Sequence, residues 1–230
     1  MTPFRHLIPA LALAAAAVAG PALAATQIAD GGFETQGSSV APGGYCYFGM
    51  ATGGGPACGA GAWQGVGAGL QDETNQPWPG QPTDDGSKYG FVQGLGELAQ
   101  VFTADTTGAF TLSWMDAGRP RSGGYDGNQT YDVLLVSNFG ADTVSLGSFA
   151  TTDYQPFTAR STGLFNLAAG ETYALVFRGT GDGDHTSFID GVSLAGAVPE
   201  PASWALMLLG FSGLGATLRA SRRRLVLATA

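Results

Sequence analysis

The chain has 230 residues, 12% of them charged and 44% hydrophobic, with 37 glycines, two cysteines and a formal net charge of −8. That hydrophobic share excludes disorder and can fill the core of one domain once the two ends of the chain are set aside. Residues 26–198 carry 17 acidic side chains against 5 basic ones. Such a surface repels nucleic acid and anionic lipid and suits neutral polymers, cations or other proteins as partners.

Residues 1–24 read as a secretory signal peptide. Arg5 and His6 form the polar start, Leu7 to Val18 the apolar stretch, and Ala22-Leu23-Ala24 the small-x-small cleavage site. This predicts passage through the Sec translocon and cutting by signal peptidase after Ala24; the competing reading is a retained membrane anchor. The mature chain opens on Gln27-Ile28-Ala29-Asp30-Gly31-Gly32-Phe33-Glu34, which predicts a short strand meeting a Gly-Gly turn.

Residues 40–97 are rich in glycine and proline and contain both cysteines, Cys46 and Cys58. In an oxidising compartment two such cysteines pair, and closing a loop of this size adds on the order of 3 kcal/mol by the chain-entropy argument. The alternatives are a metal site, which wants more ligands than two thiols, or free reactive thiols. Short strands are expected around Tyr45–Phe48 and Lys88–Gln93.

From Leu98 the pattern is regular. Strands are predicted at 98–103, 109–116, 130–137, 143–150, 157–162, 163–167, 172–178 and 186–194. Apolar and polar residues alternate within them, as in Phe110, Leu112 and Trp114 against Thr111 and Ser113, and the gaps hold turn residues. No sustained helical period and no internal repeat occur between residues 25 and 197. Short strands at a spacing of about 8–12 residues predict an all-β fold, a single sandwich spanning 25–197. Its ends, Asp30-Gly31-Gly32-Phe33-Glu34 and Ile189-Asp190-Gly191-Val192, resemble the bracketing motifs of the galactose-binding-like jelly rolls, which include many carbohydrate-binding modules. Asp30 stands where that family usually has Asn, and Gly191 replaces a second Asp. The resemblance implies a jelly roll and a structural Ca²⁺ at the corner of Glu34 and Asp190, with backbone carbonyls near Asp30 and Gly32 completing an oxygen shell. The competing readings are a capping Asp with a solvated Glu, or a glycosidase carboxylate pair.

Sugars stack an apolar face on aromatic rings while amides and carboxylates take the hydroxyls. Trp63, Trp78, Tyr89, Tyr125 and Tyr154 lie in or beside glycine-rich loops and are the candidate ligand-binding residues; the alternative for each is a plug at the end of the sandwich. Trp114 is expected in the core. Asp182-Gly183-Asp184-His185 lacks the later acids of an EF-hand loop and reads as a turn. His185 is the one histidine after the signal, no Gly-x-Ser-x-Gly elbow occurs, and no catalytic residue is assigned.

The tail has three parts in order: Pro199-Glu200-Pro201 with Trp204-Ala205, an uncharged stretch over residues 202–218, and Arg219 followed by Arg222, Arg223 and Arg224. The uncharged stretch predicts a single transmembrane helix of roughly 25 Å, near the short limit for a bilayer, and the arginines mark its cytoplasmic, stop-transfer end. Residues 198–224 resemble the PEP-CTERM sorting signal of Gram-negative bacteria, in its Pro-Glu-Pro-x-x-Trp-Ala form. The resemblance implies recognition by an exosortase and an inner-membrane precursor that is passed to the cell surface or an exopolysaccharide matrix; the competing reading is a plain anchor. The function expected is a non-catalytic, exosortase-sorted surface or matrix protein that binds exopolysaccharide. The alternatives are a structural or adhesive matrix component without a specific ligand, or a glycan hydrolase.

Overall fold

The computed structural model describes residues 28–49, 55–75, 78, 80–121, 126–137, 140–196, 207–215 and 219. The signal peptide, the Pro-Glu-Pro motif with Trp204 and Ala205, and Arg222 to Arg224 lie outside the described residues. Residues 207–215 and Arg219 are helical. Among the described residues no helix is long and apolar enough to cross a membrane.

The described domain is a jelly-roll β-sandwich. A one-turn helix, α1 (Glu34–Gly37), precedes ten strands: β1 (Tyr45–Tyr47), β2 (Trp63–Asp72), β3 (Lys88–Thr103), β4 (Gly108–Gly118), β5 (Gln129–Ser137), β6 (Asp142–Thr151), β7 (Thr158–Ser161), β8 (Phe165–Leu167), β9 (Thr172–Gly179) and β10 (Thr186–Gly196). The main path runs β6-β5-β9-β3-β10-β4-β7, with β1-β2 added on β3 and β8 on β4. All these pairings are antiparallel.

The long β3 belongs to both layers. Its first half pairs with β10 (Phe91 opposite Phe188) and its second half with β9 (Leu98 opposite Phe177). β2 follows it round the bend through a bulge between Val66 and Ala68. Gly67 and Gly94 take φ of 60° and 56°, a left-handed conformation open to glycine. A Cβ on Gly96 would lie 2.2 Å from the Gly67 carbonyl oxygen, so the two strands cross closely at this corner.

The alternation that marks the strands fills the space between the layers. Trp63, Leu98, Trp114, Tyr131, Leu175 and Phe177 belong to one buried cluster. The Trp114 ring meets Phe177 at 5.6 Å and Phe149 at 4.7 Å, edge to face. Trp114 is core, as its alternation predicts. A second cluster of Tyr89, Phe91, Ala117 and Phe188 lies on the other side of β3, since Phe91 and Val92 point to opposite faces.

Two expectations are corrected. The opening segment is no strand: residues 28–33 are bends and turns that lead into α1. Phe33 holds φ of 58° so that its ring enters the core beside Trp63 at 4.7 Å, and Asp30 accepts the Thr35 and Gln36 N–H groups. The segment still meets the last strand, where Val192 N–H donates to the Gly31 carbonyl. β2, meanwhile, has no counterpart among the predicted strands. Four of its ten residues are Gly or Ala, too small to show an apolar alternation.

Candidate functional site

The outer face of the β1-β2-β3-β10 sheet carries a cavity of about 570 Å³. One wall comes from β1. Cys46 turns inward, with 4% exposure, so its neighbours Tyr45 and Tyr47 turn outward. β1 is only three residues long and is held on both sides. It pairs with β2, Tyr45 opposite Gln71 and Tyr47 opposite Gly69. On its free side Tyr47 N–H donates to Pro56 O (2.8 Å) and Cys58 N–H to Tyr47 O (2.9 Å). The Cys46–Cys58 disulfide closes the same clamp, as expected from the sequence.

Glycines make room for the rings. A Cβ at Gly69 would sit 2.8 Å from the Phe91 ring, and its absence lets Tyr47 reach Phe91 edge-on at 5.1 Å. A Cβ at Gly55 would crowd both Tyr45 and Tyr47, at 2.9 and 3.0 Å. Trp78 completes the wall: its ring meets Tyr45 edge-on at 4.5 Å, and its carbonyl accepts from the Gln71 side chain.

The polar side comes from β3 and the turn before β10. The Tyr47 hydroxyl donates to Gln93 Oε1 (2.7 Å), and Gln93 Nε2 donates to Asp184 Oδ1. Arg119, 3% exposed, sits behind and donates to the same carboxylate at 3.0 Å and to the Asp184 carbonyl. This chain of bonds fixes the rotamers of Gln93 and Asp184 before anything binds. Burial pushes the Tyr47 phenol up, and the nearby charge of Asp184 adds to that rise. Exposed Asp182 also lines the cavity, and its Oδ1 accepts the Gly183 N–H. Aromatic edges and faces beside a fixed amide and carboxylate can take up a pyranose: the rings cover its C–H face while the polar pair meets its hydroxyls.

Of the predicted ligand-binding residues that are described, Trp78 alone lines this cavity. Trp63 and Tyr89 are corrected to interior positions, at 1% and 0% exposure. The Trp63 indole donates to Asp30 O (2.8 Å). The Tyr89 hydroxyl accepts the Gln81 N–H (3.0 Å) among Phe157 and Phe188. Both are bulky residues on strands whose inward faces need filling, and glycine-rich flanks concealed that. Tyr154 is 61% exposed, outside the cavity, with its hydroxyl on Arg121 O. Tyr125 lies outside the described residues. Tyr45, Tyr47, Gln93 and Asp184 were not picked out from the sequence. The signal was present: in a predicted Tyr45–Phe48 strand, an inward Cys46 forces both tyrosines outward.

A second cluster lies where the chain ends meet. Glu34 Oε1 accepts the Ser87 and Lys88 N–H groups at 2.7 and 2.6 Å. Asp190 is fully buried, bonded to the Thr83 hydroxyl and to Gly191 N–H (2.8 Å). Burial pushes the Asp190 carboxyl up to about 7; the two hydrogen bonds oppose this, while the charges of Asp85 and Glu34 add to it. Asp85, which the sequence reading did not single out, therefore belongs to this corner. The side-chain donors are all oxygen, the chemistry a hard cation requires. Among the described residues no three His, Cys, Asp or Glu side chains are already placed to hold a metal ion.

Comparison with known proteins places the fold first. A cyclase from Fischerella sp. TAU is 13% identical, covering 76% of this chain and 98% of its own, with a TM-score of 0.53. A Stig cyclase, Fisc, from the same source in complex with a pyrrolidinylidene-indole is 14% identical, covering 78% and 100%, with a TM-score of 0.51. TmCBM61, solved with beta-1,4-galactotriose, is 14% identical, covering 76% and 100%, with a TM-score of 0.48. At these identities the likeness is one of fold. No curated protein matches the chain. Residues 197–224 match the PEP-CTERM protein-sorting motif, so the chain carries the signal of an exported protein with a C-terminally anchored precursor.

Proposed function

We propose that this chain is an exosortase-sorted protein of the cell surface or extracellular matrix, and that its jelly roll is a non-catalytic module that binds exopolysaccharide. The observation that carries the binding half is the cavity in which Tyr45, Tyr47 and Trp78 stand beside the bonded pair of Gln93 and Asp184. The sorting half rests on the match over residues 197–224. Stacking rings with pre-positioned polar groups suit a repetitive polymer better than a reaction centre, since sugar binding needs complementarity rather than a group poised for proton transfer.

A structural Ca²⁺ is part of the reading. Glu34 and Asp190 would supply carboxylate oxygens and backbone carbonyls near Asp30 and Gly32 the rest of the shell, and a cation there would offset the charge that Asp85 and Glu34 impose on Asp190. Its role would be to hold the Gly31–Glu34 turn and the Thr83–Gly86 segment against β10.

The test is glycan binding by the full chain in detergent, by array and then by calorimetry. Trp78→Ala and Tyr45→Ala are each expected to weaken binding at least about tenfold, or about 1.4 kcal/mol. Undiminished affinity in both variants would remove the cavity from the function.

A further inference from the structure

The same cavity has a charge that narrows its ligand, an inference that rests on the glycan-binding reading above. Among the described residues, the ionisable carboxylates lining it are Asp182 and Asp184, and no Lys, Arg or His side chain lines it. The nearest guanidinium, Arg119, is buried behind Asp184, directed at the Asp184 side chain and carbonyl and at the Asp126 carbonyl. It steadies Asp184, offsets that carboxylate's charge through the ion pair at 3.0 Å, and lines a small recess behind Tyr45, Tyr47 and Trp78, so the uncompensated charge at the opening is that of Asp182. Asp182 lies on the exposed side of the turn. Across from these carboxylates stand three electron-rich rings, those of Tyr45, Tyr47 and Trp78. Rings and carboxylates both attract a cation: the ring faces through their quadrupole, the carboxylates directly.

A uronate or sulfated sugar would meet repulsion here, and a neutral sugar would gain stacking and hydrogen bonds to Gln93 and Asp184 but no ion pair. A sugar with a protonated amine gains stacking, a cation–aromatic contact and an ion pair at once. The acidic excess over residues 26–198 extends that preference beyond the cavity, drawing in a cationic polymer before it docks. We propose that the cavity between the Tyr45–Trp78 wall and the Asp182–Asp184 turn takes hexosamine units carrying a free amino group.

The experiment uses the full chain in detergent and three probes of matched length: glucosamine oligomers, N-acetylglucosamine oligomers and oligogalacturonate. Binding is measured by calorimetry at low and at high salt. Glucosamine oligomers are expected to bind at least about tenfold tighter than the acetylated ones at low salt, and oligogalacturonate not at all. The preference should shrink at high salt and approach parity in Asp182→Asn. Trp78→Ala separates docking in the cavity from loose attraction to an acidic surface: glucosamine binding must fall in that variant. If it does not fall, or if Asp182→Asn leaves the preference intact, the proposal is overturned. Acetylated or uronate oligomers binding as well as glucosamine would overturn it too, while leaving the broader glycan reading standing. Failure of every probe, together with a blank glycan array, would overturn both.

Discussion

Asp72 shows how one side chain ties the aromatic wall to the sheet behind it. It closes β2, is almost fully buried, and forms an ion pair with Lys88 at the start of β3. It also accepts from the N–H groups of Gly43, just before β1, and Thr74. Burial opposes its ionisation, but the Lys88 ammonium, the Thr74 hydroxyl and these two N–H groups outweigh it and hold the carboxyl well below the usual range. A folded pKa below the unfolded one contributes stability that is complete above about 4 and is lost as pH falls through the folded value. The melting temperature is therefore expected to drop in acid more steeply in the parent than in Asp72→Asn. At neutral pH the variant should be less stable by about 3–5 kcal/mol, because it leaves a buried ammonium without its counter-charge. Equal acid limbs in the two proteins would show that the pair does not matter. Asp190 behaves in the opposite sense, since its carboxyl is raised. Calcium should raise the melting temperature at pH 8, and chelator should reverse the gain; a melting temperature indifferent to both would end the proposal of a bound ion.

At the scale of elements, β1 is the weak point and carries one wall of the proposed glycan cavity. Three residues make few ladder bonds, so the strand depends on the Cys46–Cys58 disulfide and on the close approach at Gly69. Replacing both cysteines by alanine is expected to cost about 2–4 kcal/mol in stability. Glycan affinity measured below the transition should fall as well, because Tyr45 and Tyr47 lose their backing. Loss of stability with full affinity would mean that β2 alone holds the wall. The strands from Leu98 onward were legible in the sequence because turn residues bound them and the inner strands β4, β5 and β10 alternate toward one core, whereas the edge strands β6 and β7 stay largely exposed. β2 was not, because Gly65, Gly67 and Gly69 are there for what they let pass, namely the Glu97 carbonyl, the Gly96 backbone and the Phe91 ring, and absence leaves no pattern. The site was half legible for a related reason. A loop tryptophan such as Trp78 declares itself, whereas the use of Gln93 and Asp184 depends on strands 91 residues apart meeting at one corner.

For the whole molecule, the domain and the tail are separable in role and adjacent in sequence. β10 ends at Gly196 and the matched sorting motif begins at 197. If the tail is an exosortase substrate, Glu200→Ala combined with Pro199→Ala is expected to leave full-length chain in the inner-membrane fraction, with the glycan cavity unaltered in binding assays. The same fractionation in cells lacking the exosortase should give the same retention. Full-length parent chain retained in the membrane even with the exosortase present would assign the tail to simple anchoring, and release of a shortened chain in both settings would remove the exosortase from its processing. The fold and the tail were the readable parts of the molecule at this scale, since each is a pattern repeated along the chain, whereas an inward-facing Trp63 or Tyr89 looks the same in one dimension as a ring that meets solvent.

The position of β10 has a mechanical consequence. It is an inner strand, flanked by β3 over its first residues and by β4 nearly to its end. A pull applied along this strand would load its rungs side by side, in shear, rather than peel them one at a time. If the module captures a polymer as proposed, a strand loaded in this way would bear the drag without unravelling from the end by which it is held.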